Sequence, residues 1–461
     1  MKSRNILVKL HTIFYVVLKG SLSVAITATS FVWYAPLLLN IGSPESEVPM
    51  TSAQTSWLIS SMELGCLFFN IPAGIISNRV GRKYPILFIG PTCGLAFIVL
   101  AYTRSLPVLF VLRQIQGLCL ALAYVVGPIY IAEVSEPRLR GSTSCHIQTM
   151  WFAGCLYDYC VGPYVDYQTY ALLCLPIPLL FTATFFFMPE SPYYLIMKGR
   201  NEEAKQALSW LRGVKEVNEE FKEIEETIGR EVYEHGSWKD LFQTKKDRMA
   251  FFIVQVCSIT KYMGGMPAFA NYVSQTFGES TIKYLDHNQL TIVTGVLLTA
   301  ATFSSCLLSV NFGRRPMLIY SCFCCFLFTF VIGGYFFLDF ETAFDVSPYV
   351  WVLYVSVIGF IITANVGVGP LLQTVQAEYF TAKTRGIGGA LTLVIGSTAT
   401  FISIKQYQFI QDTVGVYLNY WIWAIVLLFG AICMYFFLPE TAGRTLGEIQ
   451  TDMKNAYQTH L

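Results

Sequence analysis

Apolar runs about as long as a bilayer is thick recur along nearly the whole chain, and they exclude most folds at once. About twelve of them fall at roughly 12–40, 53–77, 84–103, 107–133, 142–164, 168–188, 250–277, 288–310, 316–338, 348–379, 386–410 and 415–437. A hydrocarbon core of roughly 30 Å takes about 20 apolar residues of helix. Soluble core helices do not explain the pattern. Of the 461 residues 54% are hydrophobic and 13% charged, against roughly 25% charged in an ordinary soluble chain. The expectation is an all-α membrane protein of twelve transmembrane helices. Twelve is even, so both termini lie on one side.

Charge placement says which side. Lys2, Arg4 and Lys9 precede the first run, and Arg79, Arg82, Lys83, Arg138, Arg140, Arg314, Arg315, Lys383, Arg385 and Arg444 fall between alternate runs or after the last. The opposite loops carry mainly acids, such as Glu45, Glu47, Asp166, Glu279, Asp286, Asp345 and Asp412. Basic residues stay in the cytoplasm, which places both termini and the long middle loop there. The net charge of +1 says nothing about partners; the asymmetry does. The first run is too long for a signal-peptide core and reads as an anchor. The 13 cysteines sit almost entirely inside the runs, as small packing residues rather than a disulfide framework.

The charged punctuation occurs twice. EVSEPRLRG runs from Glu133 through Arg140 to Gly141, and EYFTAKTRG from Glu378 through Arg385 to Gly386. NRVGRK (Asn78 to Lys83) pairs with NFGRRP (Asn311 to Pro316), and PES at Pro189 with PET at Pro439, in the same order. This is a duplicated membrane unit: residues 1–188 form one six-helix half and 249–437 the other, with a cytoplasmic helical linker at 189–248 and a tail at 438–461. Such repeats belong to alternating-access carriers, whose substrate site lies between the halves near the bilayer midplane.

Glu133, Arg140, Glu378 and Arg385, with Arg79, Arg82, Arg314 and Arg315, form a candidate set of gating ion pairs at the inner helix ends. Carboxylate and guanidinium pair bidentately, and pairs across the two halves would hold the inner face shut. The alternative for any one arginine is a plain positive-inside anchor. Gly127-Pro128, Gly264-Gly265 with Pro267, and Gly367, Gly369 and Pro370 interrupt the fourth, seventh and tenth runs. Each is either a gate or a packing kink. In the linker, Ala204, Leu208 and Leu211 share one helix face, with Asn201 as its cap, and Phe221, Ile224 and Ile228 share another behind Asn218. These helices either couple the halves or simply tether them. Glu63, Asp158 and Lys261 are charges inside runs, where charge is expensive and usually functional. Lys261 pairs with Asp158, meets an anionic group on a substrate, or snorkels. The five histidines, His146 among them, make no metal-ligand spacing.

These landmarks together resemble the sugar porter family of the major facilitator superfamily. Gly74 to Lys83 follows the pattern GxxxDRxGRR/K, Arg113 and Gly117 the RxxxG of the fourth span, and PESPYYL (Pro189 to Leu195) and PETAGRTLGEI (Pro439 to Ile449) are near-verbatim family motifs. PESPYYL with this kind of middle loop is similar to the insect facilitated trehalose transporter branch. The resemblance covers the whole chain and implies the major facilitator fold, twelve helices in two pseudo-symmetric halves, and a central carbohydrate site.

The departures are specific. Asn78 replaces an acid, and Val310 and Asn311 stand where an acid and an arginine are usual. The fifth-span glutamine is kept as Gln148, but the seventh-span QQxxGxN aligns with Lys261, Tyr262, Gly265 and Pro267. Gln373 replaces the tenth-span tryptophan, and the eighth- and eleventh-span asparagines fall near Leu298 and Gly396. Buried sugar hydroxyls need partners. Gln148, Lys261, Tyr262, Asn271, Tyr272, Gln373 and Gln376 are the candidate substrate-binding residues.

The sequence therefore implies a carrier rather than an enzyme, working without cofactor or metal, with a small carbohydrate and the lipid bilayer as its partners. Neither nucleic acid nor an obligate protein partner is indicated. The resemblance implies facilitative uptake of trehalose or a hexose at the plasma membrane. The first run holds no Asp or Glu, which favours uniport. Proton-coupled uptake of another small polar solute, a non-transporting nutrient sensor on the same fold, and an internal membrane are the alternatives.

Overall fold

A computed structural model of the chain describes residues 20–38, 48–135, 140–214, 216–233, 238–278, 286–308 and 313–439. Every regular element among them is a helix, in the order expected. In the first half these are α1 (20–32), α2 (Ser52–Val80), α3 (Lys83–Tyr102), α4 (Leu106–Val134), α5 (Arg140–Val161), α6 (Tyr167–Leu173) and α7 (Pro176–Phe185). The linker holds α8 (Pro192–Met197), α9 (Asn201–Arg212) and α10 (Asn218–Tyr233). The second half holds α11 (Lys245–Met263), α12 (Met266–Gly278), α13 (His287–Leu308), α14 (Arg314–Glu341), α15 (Val350–Val366), α16 (Val368–Tyr379), α17 (Ala382–Thr413) and α18 (Val416–Phe437). Nine stretches among the described residues are long and apolar enough to cross a membrane. Helices α1, α5 and α13 occupy the remaining runs.

Local chemistry sets many of the ends. Thr51 and Gln54 cap α2 reciprocally, the Gln54 N–H donating to Thr51 Oγ1 (3.3 Å) and the Thr51 N–H to Gln54 Oε1 (3.0 Å). Asp166 caps α6 by accepting the Thr169 N–H (3.0 Å), which holds its carboxyl below the usual range.

Of the three glycine–proline interruptions, two break their helix. Gly265 takes φ +98°, and a Cβ there would meet the Trp423 ring at 2.2 Å. Gly367 lies against Ser321, whose Oγ would be 2.0 Å from a Cβ. These positions separate α11 from α12 and α15 from α16. Gly127-Pro128 does not interrupt α4, which runs through it.

The first half is tied together where α2 crosses α4. A Cβ on Gly117 would sit 2.4 Å from the Met62 carbonyl oxygen and 2.8 Å from Gly65 Cα, so the two backbones touch. One turn earlier, Arg113 is only 1% exposed. Its guanidinium donates to the carbonyls of Leu58 (3.1 Å), Ile59 (3.0 Å) and Ser30 (2.5 Å) and to Gln116 Oε1 (3.2 Å). Arg113 therefore joins α1, α2 and α4. Gly117→Val is expected to cost at least about 2 kcal/mol by overpacking against immovable backbone. A lowered unfolding midpoint in detergent checks it.

The linker has a core of its own. Ala204, Leu208, Leu211, Phe221, Ile224 and Ile228 are buried, as their spacing predicts. Asn201 does not cap α9; Arg200 holds that position and makes no side-chain cap bond, because the chain turns in one residue earlier. Arg212 donates to the Val134 carbonyl at the end of α4 (2.9 Å) and pairs with Glu220 (2.6 Å), docking the linker beneath the first half.

Candidate functional site

A cavity with an empty volume of about 770 Å³ lies at the seam of the halves. Phe31, Glu63, Cys66, Asn70, Leu120, Tyr124, Gln148, Trp151 and Phe152 line it from the first half. Lys261, Tyr262, Met266, Pro267, Ala270, Leu393, Ser397 and Thr400 line it from the second. Helical spacing produces these walls. Gln148, Trp151 and Phe152 follow i, i+3, i+4 on α5; Glu63, Cys66 and Asn70 follow i, i+3, i+7 on α2; Leu393, Ser397 and Thr400 follow i, i+4, i+7 on α17.

The aromatic faces are arranged around Trp151, whose ring centroid is 5.2 Å from Phe31 and 5.5 Å from Tyr124. Tyr262 occupies space released by Gly396, where a Cβ would be 2.7 Å from its ring. Asn70 Nδ2 donates to Ser397 Oγ across the seam (3.1 Å). Lys261 Nζ donates to the Gly369 carbonyl (2.7 Å) and stands 5.3 Å from the Tyr262 ring centroid.

Of the seven candidate substrate residues, the structure brings Gln148, Lys261 and Tyr262 into the cavity wall. Asn271 and Tyr272 are buried behind it: Asn271 donates to the Pro267 carbonyl (2.9 Å), and Tyr272 stacks on Tyr407 at 4.4 Å. Gln376 turns toward Gly389 on α17. The side chain of Gln373 lies outside the described residues. The pairing of Lys261 with Asp158 does not form. Asp158 is fully buried, accepts the Cys174 thiol (3.6 Å) and does not line the cavity. Glu63, flagged as a membrane charge, joins the wall. Asn70, Ser397, Thr400, Trp151 and Phe152 were missed; helical spacing from Gln148 marks Trp151 and Phe152.

The described inner charges include two ion pairs, one in each half. Arg82 grips Glu133 bidentately, Nε to Oε2 and Nη2 to Oε1, both at 3.0 Å. Arg314 pairs with Glu378 at 3.0 Å. Both pairs stay inside one half, because each arginine sits at the start of a helix that packs beside the glutamate of its own half. In both halves the arginine follows a glycine of positive φ, Gly81 at 109° and Gly313 at 76°. Ser191 donates to Glu133 (2.5 Å), and Glu190 accepts the backbone N–H groups of Arg82 (3.0 Å), Lys83 (3.1 Å) and Ser191 (2.8 Å). The PES motif thereby closes the corner and places an anion at the start of α3. Arg79 is exposed, and Arg315 donates to the Tyr435 carbonyl (2.9 Å). The side chains of Arg140 and Arg385 lie outside the described residues. Bonds across the seam include Ser56 Oγ to the Lys405 carbonyl (3.3 Å) and Tyr159 Oη to the Ala270 carbonyl (2.6 Å), both toward the end opposite the ion pairs.

Residues 19–453 match the model of the family described as sugar (and other) transporter. The chain is 27% identical over 434 residues to the facilitated trehalose transporter Tret1 of Bombyx mori, covering 94% of this chain and 84% of that protein. It is 28% identical over 407 residues to Tret1 of Polypedilum vanderplanki, covering 88% and 80%. Among solved structures, the inward-open xylose transporter XylE from E. coli superposes with a TM-score of 0.78 at 20% identity, covering 95% of this chain and 99% of that one. XylE bound to 6-bromo-6-deoxy-D-glucose gives a TM-score of 0.76, again at 20% identity, over 96% of this chain and all of the other. These likenesses establish the major facilitator fold.

Proposed function

The chain belongs to the sugar (and other) transporter family, and from that premise we propose that it carries trehalose or a hexose across the plasma membrane by facilitated, alternating-access transport. The two relatives above are named facilitated trehalose transporters. The observation that carries the reading is the central cavity walled by both halves, since a site that changes sides must be one that either half can uncover. In this reading Gln148, Lys261 and Tyr262 touch the cargo, with Asn271 and Tyr272 as backing. Residues 1–188 and 249–437 rock as bodies, with both termini cytoplasmic and the linker carried on the first.

The two described inner ion pairs brace their own halves. Arg82–Glu133 and Arg314–Glu378 keep the inner corner of each half rigid, so that rotation is transmitted through it. Ser56–Lys405 and Tyr159–Ala270 hold the opposite end closed, which suits a state facing the ion pairs.

Uptake into vesicles containing the purified protein, with labelled trehalose, glucose, polyols and small anions, tests the reading. Uptake of none of the carbohydrates would overturn it. Gln148→Ala is expected to raise the half-saturation concentration about tenfold, one hydrogen bond's worth of affinity. Unchanged affinity would move the site. Glu63 in the cavity wall favours a second reading, proton-coupled uptake. An inward proton gradient that strongly accelerates initial uptake would establish it.

A further inference from the structure

Lys261 is the one membrane-embedded cation in the described cavity wall, and its surroundings ask for an anion. Its ammonium has three donors, of which one goes to the Gly369 carbonyl (2.7 Å). No carboxylate among the described residues pairs with it. Glu63 shares the cavity but comes from the opposite half, and no ion pair joins it to Lys261 among the described residues. Lys261 therefore has no counter-charge among the described residues.

Its position gives it two faces. Besides the central cavity, it lines an adjoining side chamber with an empty volume of about 400 Å³, together with Gln148, Asn365, Val368 and Gly369. Gln148 belongs to both spaces, and no described residue occupies its amide. Val368 and Gly369 are the first residues of α16, a helix start without a side-chain cap, where the backbone favours negative charge. The wall next to Lys261 is aromatic, with Tyr262, Tyr124 and Trp151 able to cover the apolar face of a ring.

We propose that the transport site accepts monosaccharides bearing a single carboxylate, and prefers them to their neutral parents, with Lys261 as the counter-ion. This rests on the carbohydrate-transport reading above. A neutral sugar leaves a half-buried, membrane-embedded ammonium without a counter-charge, whereas a uronate supplies one. A sugar phosphate brings more charge than one ammonium offsets. The competing role for Lys261 is a tether across the break between α15 and α16, which would affect all substrates alike.

The experiment compares labelled glucose, glucuronate, the neutral methyl ester of glucuronate and glucose 6-phosphate in vesicles containing the full chain. The expected result is a half-saturation concentration for glucuronate at least tenfold below those of glucose and the ester, with glucose 6-phosphate poorer than glucuronate. Lys261→Gln should reduce the glucuronate-to-glucose preference at least tenfold, and Lys261→Arg should keep it. Equal or better handling of glucose, or a preference unmoved in Lys261→Gln, would overturn the inference while leaving carbohydrate transport intact. Uptake of neither neutral nor acidic sugar would overturn the transport reading itself. Should Lys261→Gln fail to fold, the comparison of ester with acid decides alone.

Discussion

Arg113→Leu is expected to abolish recovery of folded protein, the largest single effect predicted for this chain. The leucine removes the donors for the carbonyls of Leu58, Ile59 and Ser30 at once. The Leu58 and Ile59 carbonyls keep their intrahelical partners in α2, so what is lost at each acceptor is a charge-assisted hydrogen bond, worth about 1.5–3 kcal/mol. Over three carbonyls the loss is on the order of 4–9 kcal/mol against a typical total of about 5–15 kcal/mol. Water cannot repair it at bilayer depth, and α1, α2 and α4 lose their common anchor together. Arg113→Lys should recover only part of the loss, since an ammonium cannot spread its donors over three carbonyls in the way a planar fork does. Fluorescence-detected size-exclusion chromatography and the unfolding midpoint report both variants. A monodisperse Arg113→Leu protein with a near-native midpoint would show that the guanidinium is dispensable.

Second in size is Glu133→Ala, expected to destabilise by about 3–5 kcal/mol, the usual cost of stranding one member of a buried ion pair. Its arginine side chain is 6% exposed, and the same carboxylate also serves Ser191. The matching change in the second half, Glu378→Ala, should cost clearly less, because the Arg314 side chain is 30% exposed and solvent screens it. Turnover should fall in both variants with less change in substrate affinity, since the glutamates lie away from the cavity. Unfolding midpoints in the reverse order, or a pure affinity effect, would remove the bracing role.

How much of this was legible beforehand follows from what one dimension can carry. Hydrocarbon permits little besides helix, so run length alone located the spans. Gly265 and Gly367 announced the breaks because each combines a helix-relaxing residue with a packed neighbour that no side chain could share. Gly127-Pro128 offered a third interruption, without the correspondence between halves that the seventh and tenth runs share, and α4 absorbs it. The paired glutamates and arginines were visible as a repeat, yet their partners depended on which helix ends lie side by side, and the spacing is silent on that. For the same reason Lys261 stood out as a charge while its acceptor, a carbonyl more than a hundred residues away, did not. The cavity wall was recoverable in part. Reading α5 outward from Gln148 at helical spacing reaches Trp151 and Phe152, whereas Asn70 and Ser397 resemble ordinary packing residues until the halves are brought together.

Because Arg82 finds Glu133, and Arg212 finds Val134 and Glu220, the early part of the chain satisfies these charges from its own sequence. A nascent polypeptide can thus complete this corner while later helices are still on the ribosome. Biogenesis then need not protect an orphan guanidinium in the translocon until synthesis ends, and the two halves can be inserted one after the other and joined last.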